Sequence, residues 1–251
     1  GRGTALHPEL WDGCVGAWNP GLGNTGLVLR DWSGNQNNGV LTGGPTWGTS
    51  GGRQALSFDG VDDAVSANFQ PPSLGASSIT MSAWCRPTAT ISSYKSVMGI
   101  GHQPAGQWIF AGVMPSGKFQ IQNYDGTYNP YATSTTSASV NKWYHVVWMR
   151  SKNVISVWVN GILEASAADL TNITNQPVIG IGNWSGYSSS WPGLLEDVLV
   201  YRRALSPNEI QLLAQRPGIA YELAPRKFYS LPAAASSRQY RLFRPSILRG
   251  A

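Results

Sequence analysis

Aromatic and small polar residues are concentrated in two segments of the sequence, residues 123–131 and 183–191. The aromatic residues of these segments are Tyr124, Tyr128, Tyr131, Trp184, Tyr187 and Trp191. Aromatic rings bind sugars by stacking on their C–H faces, while Asn, Asp and Ser side chains hydrogen-bond the hydroxyl groups. Tyr and Trp also dominate protein–protein contacts, and they cover the ends of ordinary β-sandwiches. Both segments are therefore candidate sites for a glycan or a protein partner, with simple packing as the alternative.

Residue patterns that would indicate catalysis are missing from the sequence. It has no glycine-rich phosphate loop, no His and Cys spacing typical of a zinc site, and no nucleophile elbow. The adjacent carboxylates on a predicted strand are Glu196 and Asp197, and neighbouring residues of a regular strand point to opposite faces. We therefore expect the protein to bind a ligand without transforming it.

Basic residues are concentrated at the C-terminal end of the chain. Residues 216–251 contain seven of the 18 Lys and Arg residues and one acidic residue. Several prolines punctuate the same segment, which is typical of extended chain without a core of its own. We predict a basic arm that docks on a neighbouring subunit, and we rank nucleic acid below a protein partner. The candidate docking residues are Arg226, Lys227, Arg238, Arg241 and Arg244.

Short segments of alternating apolar and polar residues predict many β-strands separated by tight turns. In residues 78–85 one face carries Ile79, Met81, Ala83 and Cys85. Further strands are predicted at 54–58, 108–114, 118–122, 143–150, 154–160, 178–182 and 194–201. Residues 206–209 (Ser-Pro-Asn-Glu) form a capping box that predicts one short helix. The predicted fold is an all-β, antiparallel sandwich of two sheets.

Four segments resemble, in the same order, motifs of laminin-G-like domains in the concanavalin A-like lectin/glucanase superfamily. They are DWSGNQNNGVL at 31–41, ALSFDGVDDAV at 55–65, WYHVV and VWVNG between 143 and 161, and GLLEDVLVYRRALS at 193–206. The resemblance implies a two-sheet jelly roll over residues 1–215, with 216–251 as a separate arm. The start of the chain and GIAYELAPRKF at 218–228 are similar to a subgroup from environmental bacteria and their phages.

The resemblance also bears on catalysis and on metal binding. Glycosidases of this superfamily carry Glu, Asp and Glu at alternating positions of one strand, and this sequence has no such run. Other members hold a structural calcium ion near the loop that begins, in this chain, at Asp31. By resemblance its ligands would be Asp31, Asn38 or Asn35, and Asp197 or Glu196. An Asx-turn, in which Asp31 and Asn35 bond nearby backbone amides, is the alternative.

The two cysteines, Cys14 and Cys85, lie in apolar, strand-like segments. We interpret them as buried free thiols, with one disulfide as the alternative. The sequence contains no apolar run long enough to span a bilayer.

Two functions are compatible with these observations. The first is a non-catalytic module for glycan recognition or adhesion on an extracellular, cell or virion surface. The second is a structural assembly protein, such as a virion decoration or surface-layer subunit, that docks through its basic arm. A jelly roll hosts many unrelated functions, so the fold alone does not choose between them.

Overall fold

The structure, a computed structural model, describes residues 4–23, 26–67, 74–102, 106–174, 178–183 and 189–225. In chain order the strands are β1 (Cys14–Trp18), β2 (Val28–Leu29), β3 (Gly39–Thr42), β4 (Thr46–Ser50), β5 (Arg53–Asp59), β6 (Ala64–Ala67), β7 (Ile79–Pro87), β8 (Lys95–His102), β9 (Gln107–Val113), β10 (Lys118–Tyr124), β11 (Tyr131–Ser137), β12 (Tyr144–Ser151), β13 (Val154–Val159), β14 (Ile162–Ala168), β15 (Ile179–Ile181) and β16 (Pro192–Tyr201). Short 3₁₀ helices lie at Pro8–Trp11, Pro20–Leu22 and Ile219–Tyr221, and the α-helix α1 spans Pro207–Leu213.

The strands form two antiparallel sheets that pack face to face. Sheet I has the order β14-β13-β12-β7-β16-β5-β4, with β1 also paired to β16. Sheet II has the order β11-β10-β9-β8-β15-β6-β3-β2. Neighbours in both sheets are often distant in sequence, as expected when a jelly roll winds its chain between two layers. The predicted all-β jelly-roll sandwich is confirmed.

The core lies between the two sheets, and strand alternation fills it as the sequence predicts. The predicted inward face of β7 is buried there as Ile79, Met81, Ala83 and Cys85. From β13 the core receives Ile155, Val157 and Val159, which alternate with outward residues. Because each strand gives every second side chain to this core, the other half of its side chains is left for the outer faces.

The outer face of sheet I is covered by helix α1 and the flanking 3₁₀ turns. The Ser206 hydroxyl accepts the Glu209 N–H, and the Glu209 carboxylate accepts the Ser206 N–H, so the predicted capping box is confirmed. Ile210 and Leu213 are buried in a second apolar cluster on this side. Helix α1 therefore covers part of the outer face of sheet I, whereas, among the described residues, it does not contact the outer face of sheet II.

Residues 216–225 pack on the sandwich. Ile219 and Ala220 are buried in the second apolar cluster. Ala5 pairs with Leu223 in a short antiparallel bridge beside them. These residues belong structurally with the body of the protein, and the remainder of the predicted arm, 226–251, lies outside the described residues.

Cys14 and Cys85 are both buried and free, which confirms the thiol interpretation. Burial raises the pKa of the Cys14 thiol to about 12, so the thiol stays protonated near neutral pH. In the described part of the chain, no helix has the length and apolar character needed to cross a membrane.

Candidate functional site

The outer face of sheet II carries one aligned row of side chains across all of its strands. The paired residues, from β11 to β2, are Tyr131, Gln122, Phe110, Gly99, Gly180, Ser66, Val40 and Val28. Their neighbours along the strands, such as Ile109 and Ile100, point into the core. Directly paired residues of an antiparallel sheet point to the same side, so this row crosses the outer surface.

Glycines of the two central strands, Gly101 of β8 and Gly180 of β15, line a groove, which we call the glycine groove. Its volume is about 270 Å³. It is lined by Thr42, Asp62, Ala64, Ser66, Gly101, Val178, Gly180 and Asn183. Gly101 has a φ of +91°, and an added Cβ would lie 2.5 Å from the Gln107 carbonyl oxygen, so no other residue fits there without strain. Hydroxyl, amide and carboxylate groups border a floor that is formed by two glycines and the small side chain of Ala64.

Aromatic side chains stand beside the glycine groove on strand β9 and its neighbours. The rings of Trp108 and Tyr124 lie 5.5 Å apart, and those of Tyr94 and Phe110 lie 5.9 Å apart. Trp108 and Phe110 are almost fully buried, whereas Tyr94 is about half exposed. Within each pair, the two rings therefore pack against each other, tilted in the first pair and edge-on in the second.

The β10–β11 hairpin holds the first predicted aromatic segment in a defined turn. Its Asp125 carboxylate accepts the N–H groups of Thr127 and Tyr128 at 2.9 and 2.8 Å, and that of Asn172 at 2.9 Å. Burial opposes ionisation of Asp125, but these backbone bonds outweigh it and lower its pKa. The turn is therefore fixed by an ionised carboxylate rather than by packing alone.

The structure separates the predicted ligand-binding aromatics into three groups. Tyr128 and Tyr131 are 52% and 60% exposed, and Tyr131 belongs to the aligned row. Tyr124 is half-buried against Trp108. The prediction for Trp191 is wrong, because this residue is fully buried in the core between the sheets. Trp184 and Tyr187 lie outside the described residues.

Asp31 is engaged as an Asx-turn. Its Oδ1 accepts the N–H groups of Ala17 and Ser33 at 2.9 and 2.8 Å. Its Oδ2 accepts the Asn37 N–H at 2.9 Å, and Asn38 Oδ1 accepts the Asp31 N–H at 2.9 Å. Both carboxylate oxygens thus accept hydrogen bonds, from Ser33 and Asn37 within the loop, as the alternative interpretation of Asp31 predicts, and from Ala17 of β1.

The third predicted metal ligand, Asp197, is likewise engaged by protein donors. It accepts the Gly218 N–H at 2.9 Å and the Asn19 side-chain amide at 3.5 Å. Burial raises the pKa of its carboxyl group to about 6, and these bonds lower it in part.

The carboxylates that the structure does bring together are Asp59, Asp62 and Asp63, whose oxygens lie within 4.8 Å of one another. Asp59 accepts the Val61 N–H at 2.7 Å, and Asp63 accepts the Asp59 N–H at 2.7 Å. Burial raises the pKa of Asp63, and its acidic neighbours raise it further. We call this group the acidic cluster. Asp62 belongs to it and also lines the glycine groove.

Strand β16 contradicts the expectation that Glu196 and Asp197 point to opposite faces. Leu195 and Val198 both lie in the core, so the two acids between them share the outer side. The pairing of β16 with β7 shifts after Glu196, and Asp197 has a φ of +51°, as in a β-bulge. Both carboxyl groups are buried on the side of the sheet that α1 covers.

Sequence reasoning missed the glycine groove itself. The sequence does carry a signal for it, which is glycine on the outer face of two neighbouring strands. These glycines are Gly99 and Gly101 in β8, for which no strand was predicted, and Gly180 in β15, which was predicted as a strand. Such alternation with apolar residues indicates a strand whose outer face is bare. That β8 and β15 are neighbours could not be read from the spacing.

Comparison with solved structures supports the fold. The binding domain of a paraclostridial mosquitocidal protein aligns with a TM-score of 0.66 at 16% identity, over 82% of this chain and 52% of that one. Domain 4 of AbnA, a GH43 extracellular arabinanase from Geobacillus stearothermophilus solved with arabinotriose, aligns with a TM-score of 0.65 at 16% identity, over 80% and 98% of the two chains.

A third similar structure is the ligand-binding domain of botulinum neurotoxin serotype D in complex with N-acetylneuraminic acid. It aligns with a TM-score of 0.64 at 16% identity, over 83% of this chain and 52% of that one. The chain thus spans about half the length of the mosquitocidal and neurotoxin structures. No curated protein matches the sequence.

At the sequence level, residues 59–211 match the family model described as the Concanavalin A-like lectin/glucanases superfamily. The matched region runs from the acidic cluster through most of sheet II to helix α1, and it covers more than half of the chain. The chain therefore belongs to the concanavalin A-like lectin/glucanases superfamily.

Proposed function

We propose that the protein is a non-catalytic carbohydrate-binding module that holds a sugar chain in the glycine groove. The observation that carries this proposal is the bare floor at Gly101 and Gly180 between hydroxyl-bearing strands and an aromatic strand. A bound sugar ring needs hydrogen-bond partners for its hydroxyls and an apolar surface for its C–H groups. The outer face of sheet II offers the polar groups around the glycine groove and, farther along the aligned row, the exposed ring of Tyr131.

The polar groups of the groove favour a ligand without negative charge. Thr42 and Ser66 present hydroxyls on neighbouring strands, and Asp62 presents a carboxylate beside two further acids. Carboxylates accept hydrogen bonds from sugar hydroxyls but repel anionic groups. A neutral sugar therefore suits the groove better than an acidic one.

The similar structures agree with this function. One was solved with arabinotriose and another with N-acetylneuraminic acid, so two proteins of this fold bind saccharides. The arabinanase is extracellular, and we propose an extracellular, cell-surface or particle-surface location for the present chain as well. Exposed Tyr128 and Tyr131 would extend the contact surface beyond the groove.

The acidic cluster is the position at which we propose that calcium binds. Calcium takes six to eight oxygen ligands from carboxylates, backbone carbonyls and water. Three carboxylates that converge within 4.8 Å on a turning loop fit that requirement, whereas the oxygens of Asp31 are already used by protein donors.

The sugar-binding proposal is tested by filling the groove. Thr42→Trp places a large ring in it at an exposed strand position, and Thr49→Trp makes the same change at an exposed position of sheet I. A glycan array followed by calorimetry with neutral trisaccharides should show binding to the wild type and to Thr49→Trp. We expect Thr42→Trp to bind at least about tenfold more weakly, equivalent to about 1.4 kcal/mol. Equal binding by the two variants, or silence of the wild type toward every neutral glycan, would contradict the proposal.

A further inference from the structure

A second concavity opens on the outer face of sheet II, next to the edge strand β2. Its volume is about 510 Å³. It is lined by Val28, Arg30, Asp31, Trp32, Gly34, Gln36 and Asn38. We call it the Arg30 concavity. Val28 belongs to the aligned row, two strands from Ser66 of the glycine groove, which corresponds to about 10 Å.

The side chains that line this concavity include three hydrogen-bond donors, Arg30, Gln36 and Asn38. The guanidinium carbon of Arg30 lies 4.5 Å from the ring centroid of Trp32, which holds the exposed arginine in place. Among the described residues, no carboxylate forms an ion pair with Arg30. Asn38 uses Oδ1 to accept the Asp31 N–H, so its Nδ2 hydrogens point away from that bond. Gln36 is exposed and has a φ of +61°, an unusual conformation that brings it to the rim.

The one acid of the concavity is turned inward. Asp31 is 6% exposed, and its oxygens accept hydrogen bonds from Ser33 and Asn37 of the loop and from Ala17 of β1. Its charge is therefore balanced by backbone N–H groups and by the Ser33 hydroxyl, while Arg30 stays at the surface. The accessible charge of the site is positive.

From this arrangement we infer that the Arg30 concavity binds a carboxylate-bearing sugar residue. The Arg30 guanidinium would pair with the carboxylate through two parallel hydrogen bonds, a geometry that arginine favours. The amide groups of Gln36 and Asn38 would bond the ring hydroxyls. This chemistry is the opposite of that in the glycine groove, where Asp62 disfavours anions, and it does not require the groove to bind sugar.

Calorimetry on the full chain with digalacturonate tests the inference. We expect digalacturonate to bind the wild type, with an affinity that falls as salt is raised, and neutral galactobiose to show no binding at this site. Arg30→Gln should weaken binding at least about tenfold, and Arg30→Lys should recover it only in part because an ammonium lacks the planar fork. The matched control is Arg202→Gln, a partly exposed arginine outside the concavity, which should bind as the wild type does.

Three results would overturn the inference. They are an unchanged affinity in Arg30→Gln, equal binding of galactobiose and digalacturonate by Thr42→Trp, whose glycine groove is filled, and full competition by acetate at the concentration of the sugar. The last result would indicate a simple carboxylate site without sugar recognition. Thr42→Trp, which fills the glycine groove, should leave digalacturonate binding intact. The two proposals can therefore fail independently, because each depends on a different variant and a different sugar.

Discussion

Burial of Glu196 makes its carboxyl group a site of pH-dependent stability. Burial raises its pKa to about 7, while Arg53 lowers it and Asp197 raises it further. In the described part of the chain, its Oε2 is buried and has no hydrogen-bond partner. The charged form is therefore poorly solvated in the folded state and well solvated in the unfolded state.

The sign of the effect follows from the raised pKa. The folded protein holds this proton up to about pH 7, whereas the unfolded chain releases it near its ordinary value of about 4.3. Stability should fall as pH rises through this window, by about 1–3 kcal/mol for Glu196. Urea unfolding of the wild type and Glu196→Gln at pH 5.5 and pH 8 measures it, because other titrating groups cancel in the difference. If the difference between the two proteins is the same at both pH values, the assignment to Glu196 is wrong.

Trp191 shows where residue-level prediction reaches its limit. Its neighbours in sequence are serines and other aromatics, the composition of a surface loop, yet the residue immediately precedes β16 and fills the core. Composition describes a segment as a whole, whereas burial depends on which side of the sheet each position faces. The same reason explains why the prediction for Glu196 and Asp197 failed. They share one face of the sheet because of a β-bulge that has no signal in the sequence.

At the scale of elements, the turn between β5 and β6 joins the acidic cluster to the glycine groove. Its Gly60 has a φ of +83°, and an added Cβ would lie 2.8 Å from Pro192, so the turn is tightly fixed against β16. Three carboxylates held this close repel one another unless a cation or a proton offsets their charge.

We expect calcium to stabilise this turn. Calcium at about 100 times its Kd should raise the Tm by several degrees, and EDTA should reverse the shift. Asp62→Asn removes an exposed carboxylate of the cluster and should abolish the response, whereas Asp12→Asn, an exposed acid outside the cluster, should retain it. A Tm that is insensitive to calcium in the wild type would exclude the ion from this position.

Individual strands were predictable because alternation is a local property. The apolar face of β7, the strand β13 and the capping box of α1 were all predicted from residues within ten positions of one another. The candidate binding sites could not be predicted from local alternation. The aligned row depends on β15 lying between β8 and β6, a long-range pairing set by the winding of the whole chain.

At the scale of the whole molecule, residues 226–251 contain six of the 18 Lys and Arg residues and no acidic residue, so this segment accounts for the whole net positive charge of the chain. We predict that this segment docks the protein on a neighbouring subunit through Arg226, Lys227, Arg238, Arg241 and Arg244. Deletion of 226–251 should convert an oligomer into a monomer in light scattering, and added salt should weaken the full-length oligomer. The same number of subunits in the two proteins would contradict the arm prediction, while the proposed sugar sites, which lie in the sandwich, should be unaffected.

The aligned row on sheet II also gives the ligand a mechanical role. Each residue of the row comes from a different strand, and strands adjacent in the sheet, such as β15 and β6, are far apart along the chain. A saccharide lying across several strands would link segments that are distant along the chain. Occupied protein should therefore resist proteolysis and pulling forces more than free protein does, because unfolding must first release the ligand. The proposed sugar-binding surface would then also stabilise, through its ligand, the sheet that carries it.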